Sequence, residues 1–122
     1  MSDQYTLTSA EEKLATIIWD NAPIPSPDLV EMAHNKLDWK KSTTYTVLRR
    51  LCEKGIFQNT NAEVTIQLTR NELLALQSRQ FVDRTFSGSL PGFIAAFVGG
   101  GKLSSKVADE LVQLIEAHQE EK

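Results

Sequence analysis

The sequence predicts a mainly α-helical chain with one small β-hairpin, arranged as a winged helix-turn-helix followed by a helical C-terminal region. Apolar residues recur at helical spacing in several segments that open with helix-capping signals. One short stretch, Val64–Leu68, alternates apolar and polar residues as a half-buried strand does. A soft boundary near residue 70 divides the chain into an N-terminal domain over residues 1–69 and a C-terminal domain over residues 70–122.

Two helices, the second of them short, are predicted to open the N-terminal domain. Thr8 and Glu11 have the spacing of a capping box, and the helix that follows should end before Pro23 because proline cannot continue a helix. Ser26 is predicted to cap the second helix, with Pro27 at its first position. Each helix has one apolar face that can pack into a shared core.

The third helix is predicted to run from about Ser42 to Lys54, with Gly55 as its C-cap. Its two faces differ in chemistry. The face expected to be buried consists of Thr44, Val47, Leu48 and Leu51. The opposite face, called the polar face below, consists of Ser42, Thr46 and Arg49, with Tyr45 and Arg50 on its flanks.

A β-hairpin and further helices complete the chain. Ile56–Gln58 and Val64–Leu68 are the predicted strands of a wing, joined by a turn-rich segment. A second capping box at Thr69–Glu72 opens a long helix. Leu90–Val98 is almost wholly apolar, and Ser104 is predicted to cap the last helix. One long and two short helices have no obvious core within one chain, so we expect a homodimer.

The charge of the chain is unevenly distributed. The formal net charge is −3, yet six lysines and arginines stand against two acidic residues between positions 36 and 54, a local charge of +4. One short basic segment on an acidic body is the electrostatic pattern expected of a localised nucleic-acid contact.

Several classes of protein are not favoured by the sequence. The polar N-terminus does not have the layout of a signal peptide, and no apolar run is long enough to span a bilayer, so we expect a cytoplasmic protein without membrane insertion. The single cysteine, Cys52, is interpreted as a small packed side chain, with a redox switch as the alternative. No metal-ligand spacing, phosphate loop or nucleophile–base pair is present, so we expect no cofactor, no metal and no enzymatic activity.

The third helix carries the side chains that a helix in the DNA major groove needs. Such a helix uses short hydroxyls, a planar bidentate cation and some apolar reach. Lys40 and Lys41 precede it and suit neutralisation of DNA phosphates, and free amides at a helix N-terminus attract the same groups. Tyr45 could equally pack against a neighbouring side chain. The candidates for base contact are Ser42, Thr43, Tyr45, Thr46 and Arg49.

Three stretches resemble the penicillinase-repressor family, which includes repressors of β-lactamase and methicillin-resistance genes and copper-transport repressors. The first is Leu7–Glu11 leading to Ile18-Trp19, and the second is Ser42–Thr44 continuing through Leu48–Gly55. The third is Phe81–Leu90, which contains Phe-Ser-Gly-Ser. The resemblance covers nearly the whole chain, and the combination of the three is more specific than any one of them.

The resemblance implies a homodimeric repressor that binds palindromic double-stranded operator DNA through its winged helix, at genes of antibiotic resistance or metal homeostasis. The C-terminal helices would form the dimer. DNA contact carries over onto Lys41, Ser42, Thr43, Thr46, Arg49 and Arg50. Dimer packing carries over onto Phe81, Phe86, Phe93, Phe97, Leu111, Leu114 and Ile115.

The chain departs from the family pattern at the wing, where members usually carry an arginine near the tip and a tyrosine in the return strand. Here the tip carries Ala62 and Glu63, and a carboxylate faces phosphate unfavourably. DNA contact by the wing is therefore expected only from Asn59 and Asn61.

Two further departures concern the inducing signal. The β-lactam-responsive members are cut at an Asn-Phe bond by a membrane-bound sensor protease, and the comparable candidate site here is Ala96-Phe97. Copper-responsive members often end in a cysteine-rich metal site, whereas this chain has no cysteine after Cys52, so metal sensing by that route is not expected.

Two other functions remain open from the sequence. The winged helix could dock on protein instead of DNA, although the local charge of +4 argues against it. The chain could also be a regulator that binds a small ligand in an apolar pocket between the C-terminal helices, lined by residues 93–98, although a dimer core is the use we favour.

Overall fold

The computed structural model describes residues 5–120, and the ends of the polar N-terminus and charged C-terminus lie outside that range. The mainly α-helical fold with a small β-hairpin is confirmed. In chain order, the elements of the described residues are α1 (Ser9–Asn21), β1 (Ile24–Pro25), α2 (Ser26–Leu37), α3 (Lys41–Glu53), β2 (Phe57–Thr60), β3 (Glu63–Ile66), α4 (Arg70–Thr85), α5 (Leu90–Val98) and α6 (Ser105–Ala117).

The capping chemistry predicted for α1 and α4 is confirmed. Thr8 Oγ1 accepts from the Glu11 amide at 3.1 Å, and Glu11 Oε1 accepts from the Thr8 amide at 2.9 Å. Thr69 and Glu72 form the same reciprocal pair at the start of α4, with distances of 3.1 and 2.9 Å. Each box satisfies amides that the first turn of a helix leaves without a backbone partner.

The cap predicted for α2 is wrong. Ser26 is the first residue of the helix, and the N-cap position is taken by Pro25. The Ser26 side chain is buried instead, and its hydroxyl accepts a hydrogen bond from Tyr45 Oη at 3.2 Å. The Ser26 hydroxyl therefore binds a residue of α3 and does not cap the start of α2.

The sheet contains a strand that the sequence did not predict. Strand β1 pairs antiparallel with β3, and the order in the sheet is β1-β3-β2. A strand of two residues is too short to show alternation, and Pro25 is tolerated because β1 is an edge strand. The hairpin is also tighter than expected, since Asn61 and Ala62 alone connect β2 to β3, with φ of 54° and 64°.

Helices α1, α2 and α3 and the sheet enclose one hydrophobic core. Trp19 packs on its edge, with its ring centroid 5.4 Å from that of Phe57. Each fully buried aliphatic or aromatic side chain stabilises the fold by about 1.5–3 kcal/mol relative to its exposed state. The largest fully buried side chains are Phe57, Leu14, Ile18, Leu29, Leu48, Leu51, Ile56, Val64 and Thr44.

The chain divides into two compact units within α4, the first ending at Gln80 and the second beginning at Phe81. The first turns of α4 belong to the N-terminal unit because Leu73 is buried there and Gln77 Nε2 donates to the Tyr5 carbonyl at 2.5 Å. The sequence signal near residue 70 marks the start of this helix, which contributes to both units.

The second unit consists of the end of α4 with α5 and α6. Ser89 Oγ accepts from the Gly92 amide at 2.9 Å, and Ser104 caps α6 as predicted, accepting from the Val107 amide at 3.2 Å. No residue from 81 to 120 is buried. Within residues 5–120, none of the helices combines the length and apolar character needed to cross a bilayer.

Candidate nucleic-acid interface

Helix α3 turns one face into the core and leaves the other accessible. All four residues predicted to be buried are buried, and the Thr44 hydroxyl is satisfied by the Lys40 carbonyl at 3.1 Å. On the polar face Ser42 and Arg49 are exposed and Thr46 is half-buried. Thr43 is also exposed. The 3.6-residue period of the helix thus separates a packing face from a hydrogen-bonding face.

The N-terminus of α3 is basic and open. Lys40 occupies the N-cap position, Lys41 is the first helical residue, and both side chains are exposed. Among the described residues, no side chain caps this helix end. Such a terminus attracts phosphate for two reasons. Amides of the first turn lack a hydrogen-bond partner, and the positive end of the helix dipole lies there.

The two flanking residues differ in what they contact. Tyr45 is half-buried, and its hydroxyl is bound to Ser26 on α2. Arg50 is exposed, and its positive charge helps to lower the pKa of Glu11. Their roles in DNA contact stay predictions.

One cation of the basic segment is already paired within the fold. Lys54 Nζ lies 2.6 Å from Glu11 Oε1 and donates to the Thr6 carbonyl at 2.8 Å. Burial raises the pKa of Glu11. Hydrogen bonds from Lys54 and the Thr8 amide lower it, and so do the positive charges of Lys54 and Arg50. These interactions outweigh burial, so the pKa of Glu11 lies below its ordinary value. The pair joins the start of α1 to the end of α3 and thereby orients α3.

The wing and α3 form an open groove of about 430 Å³. Arg49 from α3 and Asn59 from β2, both predicted to contact DNA, line the same groove. Asn61 lies in the turn at the wing tip. The groove also contains Gln58 and Thr60, which were not predicted to contact DNA; their polar character beside Asn59 is the sequence feature that indicates them. The residues lining the groove are Tyr45, Leu48, Arg49, Cys52, Phe57, Gln58, Asn59 and Thr60.

Cys52 lies half-buried on the wall of this groove. Burial raises the pKa of its thiol, the Asn59 amide opposes that rise by donating to the sulfur, and the charge of Glu53 adds to it. A thiol with a raised pKa is mostly protonated near neutral pH and therefore a weak nucleophile. This environment agrees with the packing interpretation of Cys52.

The predicted dimer residues divide between a ring cluster and an exposed helix face. The rings of Phe86 and Phe93 lie 5.5 Å apart, with Phe81 at 5.9 Å from each and Phe97 6.1 Å from Phe93. Edge-to-face contacts of this kind stabilise aromatic pairs beyond their burial. Phe81 is nonetheless 50% exposed and Phe97 73% exposed.

On α6, Leu111 is half-buried, whereas Leu114 and Ile115 are 57% and 62% exposed. Apolar side chains on one exposed helix face are typical of a surface that binds a partner. The candidate cleavage residues Ala96 and Phe97 are both exposed in the last turns of α5. Within residues 5–120, no three His, Cys, Asp or Glu side chains come together as a metal site.

Comparison with known proteins shows similarity over most of the chain. The family model described as penicillinase repressor matches residues 7–117. The penicillinase repressor of Bacillus licheniformis is 24% identical over 120 residues, which cover 95% of this chain and 94% of that protein. The methicillin resistance regulatory protein MecI of Staphylococcus aureus strain N315 is 23% identical over 115 residues, which cover 91% of this chain and 94% of that protein.

Proposed function

Because the chain belongs to the penicillinase repressor family, we propose that it is a transcriptional repressor that binds a palindromic operator in double-stranded DNA as a homodimer. The observation that carries the proposal is the polar face of α3, which is accessible and basic on a helix whose other face is buried. The similar proteins are named for penicillinase and methicillin resistance. By analogy with them, we propose that this chain is a cytoplasmic regulator of antibiotic-resistance or metal-homeostasis genes.

Base recognition is assigned to the polar face of α3 in the major groove. The exposed guanidinium of Arg49 can donate two hydrogen bonds to a guanine, the commonest specific contact of this kind. The hydroxyls of Ser42, Thr43 and Thr46 can donate to or accept from base edges or phosphates. These groups lie within about two turns of one helix, so they span a few adjacent base pairs.

Backbone contact is assigned to the groups around this face. Lys40, Lys41 and the open N-terminus of α3 neutralise phosphates, and Arg50 adds a charge at the far end of the helix. Asn59 and Asn61 supply neutral donors from the wing. Phosphate contacts of this kind fix the position of a protein on the duplex without specifying its sequence.

Dimerisation is assigned to the second unit, because residues 81–120 include half-buried side chains but none that is fully buried within one chain. A helical segment of this length has no independent stability without a buried apolar face. A second copy can cover the exposed parts of Phe81, Phe97, Leu114 and Ile115, and a two-fold dimer presents two copies of α3 to a palindrome.

The test of DNA binding is a selection from a pool of random duplexes with the full-length chain. We expect enrichment of one inverted repeat, bound about 10³-fold or more tighter than unrelated duplex at physiological salt. Protection of both half-sites in a footprint would support the proposal. Equal affinity for all duplexes, or no binding, would refute it.

The test of the dimer is Ile115→Glu, compared with Gln113→Glu on the opposite side of α6. Both add one negative charge to the same helix, but only position 115 belongs to the apolar face. A buried, unpaired carboxylate is costly, so we expect Ile115→Glu to sediment as a monomer while Gln113→Glu remains dimeric. A dimeric Ile115→Glu variant would place the interface elsewhere.

A further inference from the structure

Ser26, the first residue of α2, makes hydrogen bonds to two different parts of the N-terminal unit. Its backbone amide donates to the Ala62 carbonyl at 2.8 Å, in the turn at the wing tip. Its hydroxyl accepts from Tyr45 Oη on α3 at 3.2 Å. The residue is 4% exposed, so water has little access to compete for either contact. One buried residue thus links the wing tip to α3.

The contact with Ala62 continues the pairing of β1 with β3. Pro25 lies opposite Glu63, and the Ser26 amide extends this antiparallel pairing by one residue, to Ala62. The start of α2 is therefore held in register with the wing tip. Because Asn61 shares the two-residue turn with Ala62, the position of Asn61 depends on the same register.

Tyr45 uses its hydroxyl inside the protein. The residue lies on α3 about one turn before Arg49, and its half-buried side chain lines the groove between α3 and the wing. A phenol has a single O–H group to donate, and here Ser26 accepts it. The hydrogen that Tyr45 could donate to a base edge is therefore already engaged.

Strand β2 reaches α3 by a separate route. The Asn59 amide donates to the Cys52 sulfur, and both residues line the groove between α3 and the wing. Loss of the Tyr45 hydroxyl would leave this contact in place, so we expect the wing to stay attached while its tip loosens. The effect on DNA binding should therefore be smaller than the loss of a base contact.

We propose that the hydrogen bond between Tyr45 and Ser26 positions the wing tip relative to α3, so that Tyr45 supports the phosphate contact of Asn61 and does not itself touch a base. The inference rests on the proposed function, because it concerns how a DNA contact is placed. Tyr45 is a positioning residue that acts through Ser26 and Ala62. Base preference belongs to the polar face of α3.

Amide hydrogen exchange of the full-length protein, measured by NMR, tests the link without DNA. Tyr45→Phe should speed exchange of the Ser26 amide by about threefold or more, because a looser tip opens its hydrogen bond to Ala62 more often. The amide of Leu14, a fully buried residue of α1, should keep its rate. Tyr5→Phe is the matched control, since it removes the other tyrosine hydroxyl of the chain, and should change neither rate.

Three results of this experiment would overturn the inference while the proposed function survived. The first is an unchanged Ser26 rate in Tyr45→Phe. The second is an equal rise in Tyr5→Phe. The third is an equal rise at Leu14, which would show a general loss of stability and not a loosened wing tip.

A reciprocal variant examines the same hydrogen bond from its other side. Ser26→Ala removes the acceptor and keeps the backbone amide. Its loss of affinity for the selected duplex should match that of Tyr45→Phe, and the double variant should lose little more than either, because only one interaction is removed. Natural affinity in Ser26→Ala, together with weakened binding in Tyr45→Phe, would contradict a route through Ser26.

A double-mutant cycle on the selected duplex separates positioning from direct contact. We expect Tyr45→Phe and Asn61→Ala each to weaken binding about threefold, and the two together to weaken it little more than either alone. With Lys40→Ala, whose charge lies at the N-terminus of α3, the losses should multiply. Losses that multiply for Tyr45 with Asn61, or an altered base preference in Tyr45→Phe, would overturn the inference alone. No duplex binding by the natural sequence would overturn the proposed function as well.

Discussion

At the residue scale, α3 packs Val47 and Leu51 into the core, presents Arg49 to solvent, and is held by two tertiary side-chain contacts. The burial of Val47 and Leu51 and the exposure of Arg49 follow from helical periodicity alone. The Tyr45–Ser26 hydrogen bond joins residues on different helices, so sequence spacing carries no signal for it. The same holds for Lys54, which contributes to the basic segment in sequence but pairs with Glu11 in the fold.

The pairing of Glu11 makes a prediction about acid stability. Because the pKa of Glu11 is lowered in the folded state, its stabilising contribution is complete above the ordinary carboxyl pKa and is lost as the pH falls through the folded value. We expect Glu11→Gln to reduce the free energy of unfolding by about 1–3 kcal/mol at pH 7. Below about pH 4 the difference from the natural sequence should shrink.

Urea unfolding at several pH values measures this effect, and Glu12→Gln is the control because Glu12 is the exposed neighbour in the same helix. Glu12→Gln should reduce the free energy of unfolding by about 0.5 kcal/mol or less at every pH. If Glu11→Gln reduced the free energy of unfolding by the same amount at acid and at neutral pH, the charge of Glu11 would not contribute to stability.

At the element scale, helices with capping boxes were located to within a residue or two, while strands were located less well. Thr8 and Thr69 mark helix starts through contacts between residues three apart, which sequence spacing records. Strand β1 depends on pairing with Val64, forty residues away, and leaves no local pattern. The hairpin turn was visible as a turn-rich segment, but its two-residue length depends on the register of β2 and β3.

The wing turn holds an alanine in a conformation that favours glycine. Ala62 has a φ of 64°, where its Cβ crowds the following carbonyl. We expect Ala62→Gly to raise the free energy of unfolding by about 0.5–1 kcal/mol, measured in urea, because the strain outweighs the added flexibility of the unfolded chain. Asn61→Gly should change it less, since asparagine tolerates this region. A destabilised Ala62→Gly variant would contradict the turn geometry.

At the scale of the whole molecule, the surplus of apolar residues after position 70 indicated that one chain does not bury its own C-terminal region. The structure describes that region as three helical segments without a buried residue between 81 and 120. The division within α4 was not predicted. The capping box at Thr69 is the boundary signal that the sequence offers, whereas the burial of Leu73 depends on tertiary packing.

If folding of the second unit depends on a second copy, stability depends on protein concentration. We expect Tm to rise with concentration and the helical circular-dichroism signal per residue to fall on dilution below the dimer dissociation constant. Ile115→Glu should show the lower helical signal at every concentration, because its second unit remains without a partner. A Tm independent of concentration across the dissociation range would contradict coupled folding and dimerisation.

The central claim is that the polar face of α3 recognises bases, and repeating the duplex selection with Arg49→Ala tests it most directly. We expect an affinity loss equivalent to about 1–3 kcal/mol on the natural operator and loss of preference at one base pair in each half-site, with the other positions retained. Arg79→Ala, which changes charge equally on α4, should leave every preference intact. Unchanged affinity and unchanged base preferences in Arg49→Ala would contradict the account.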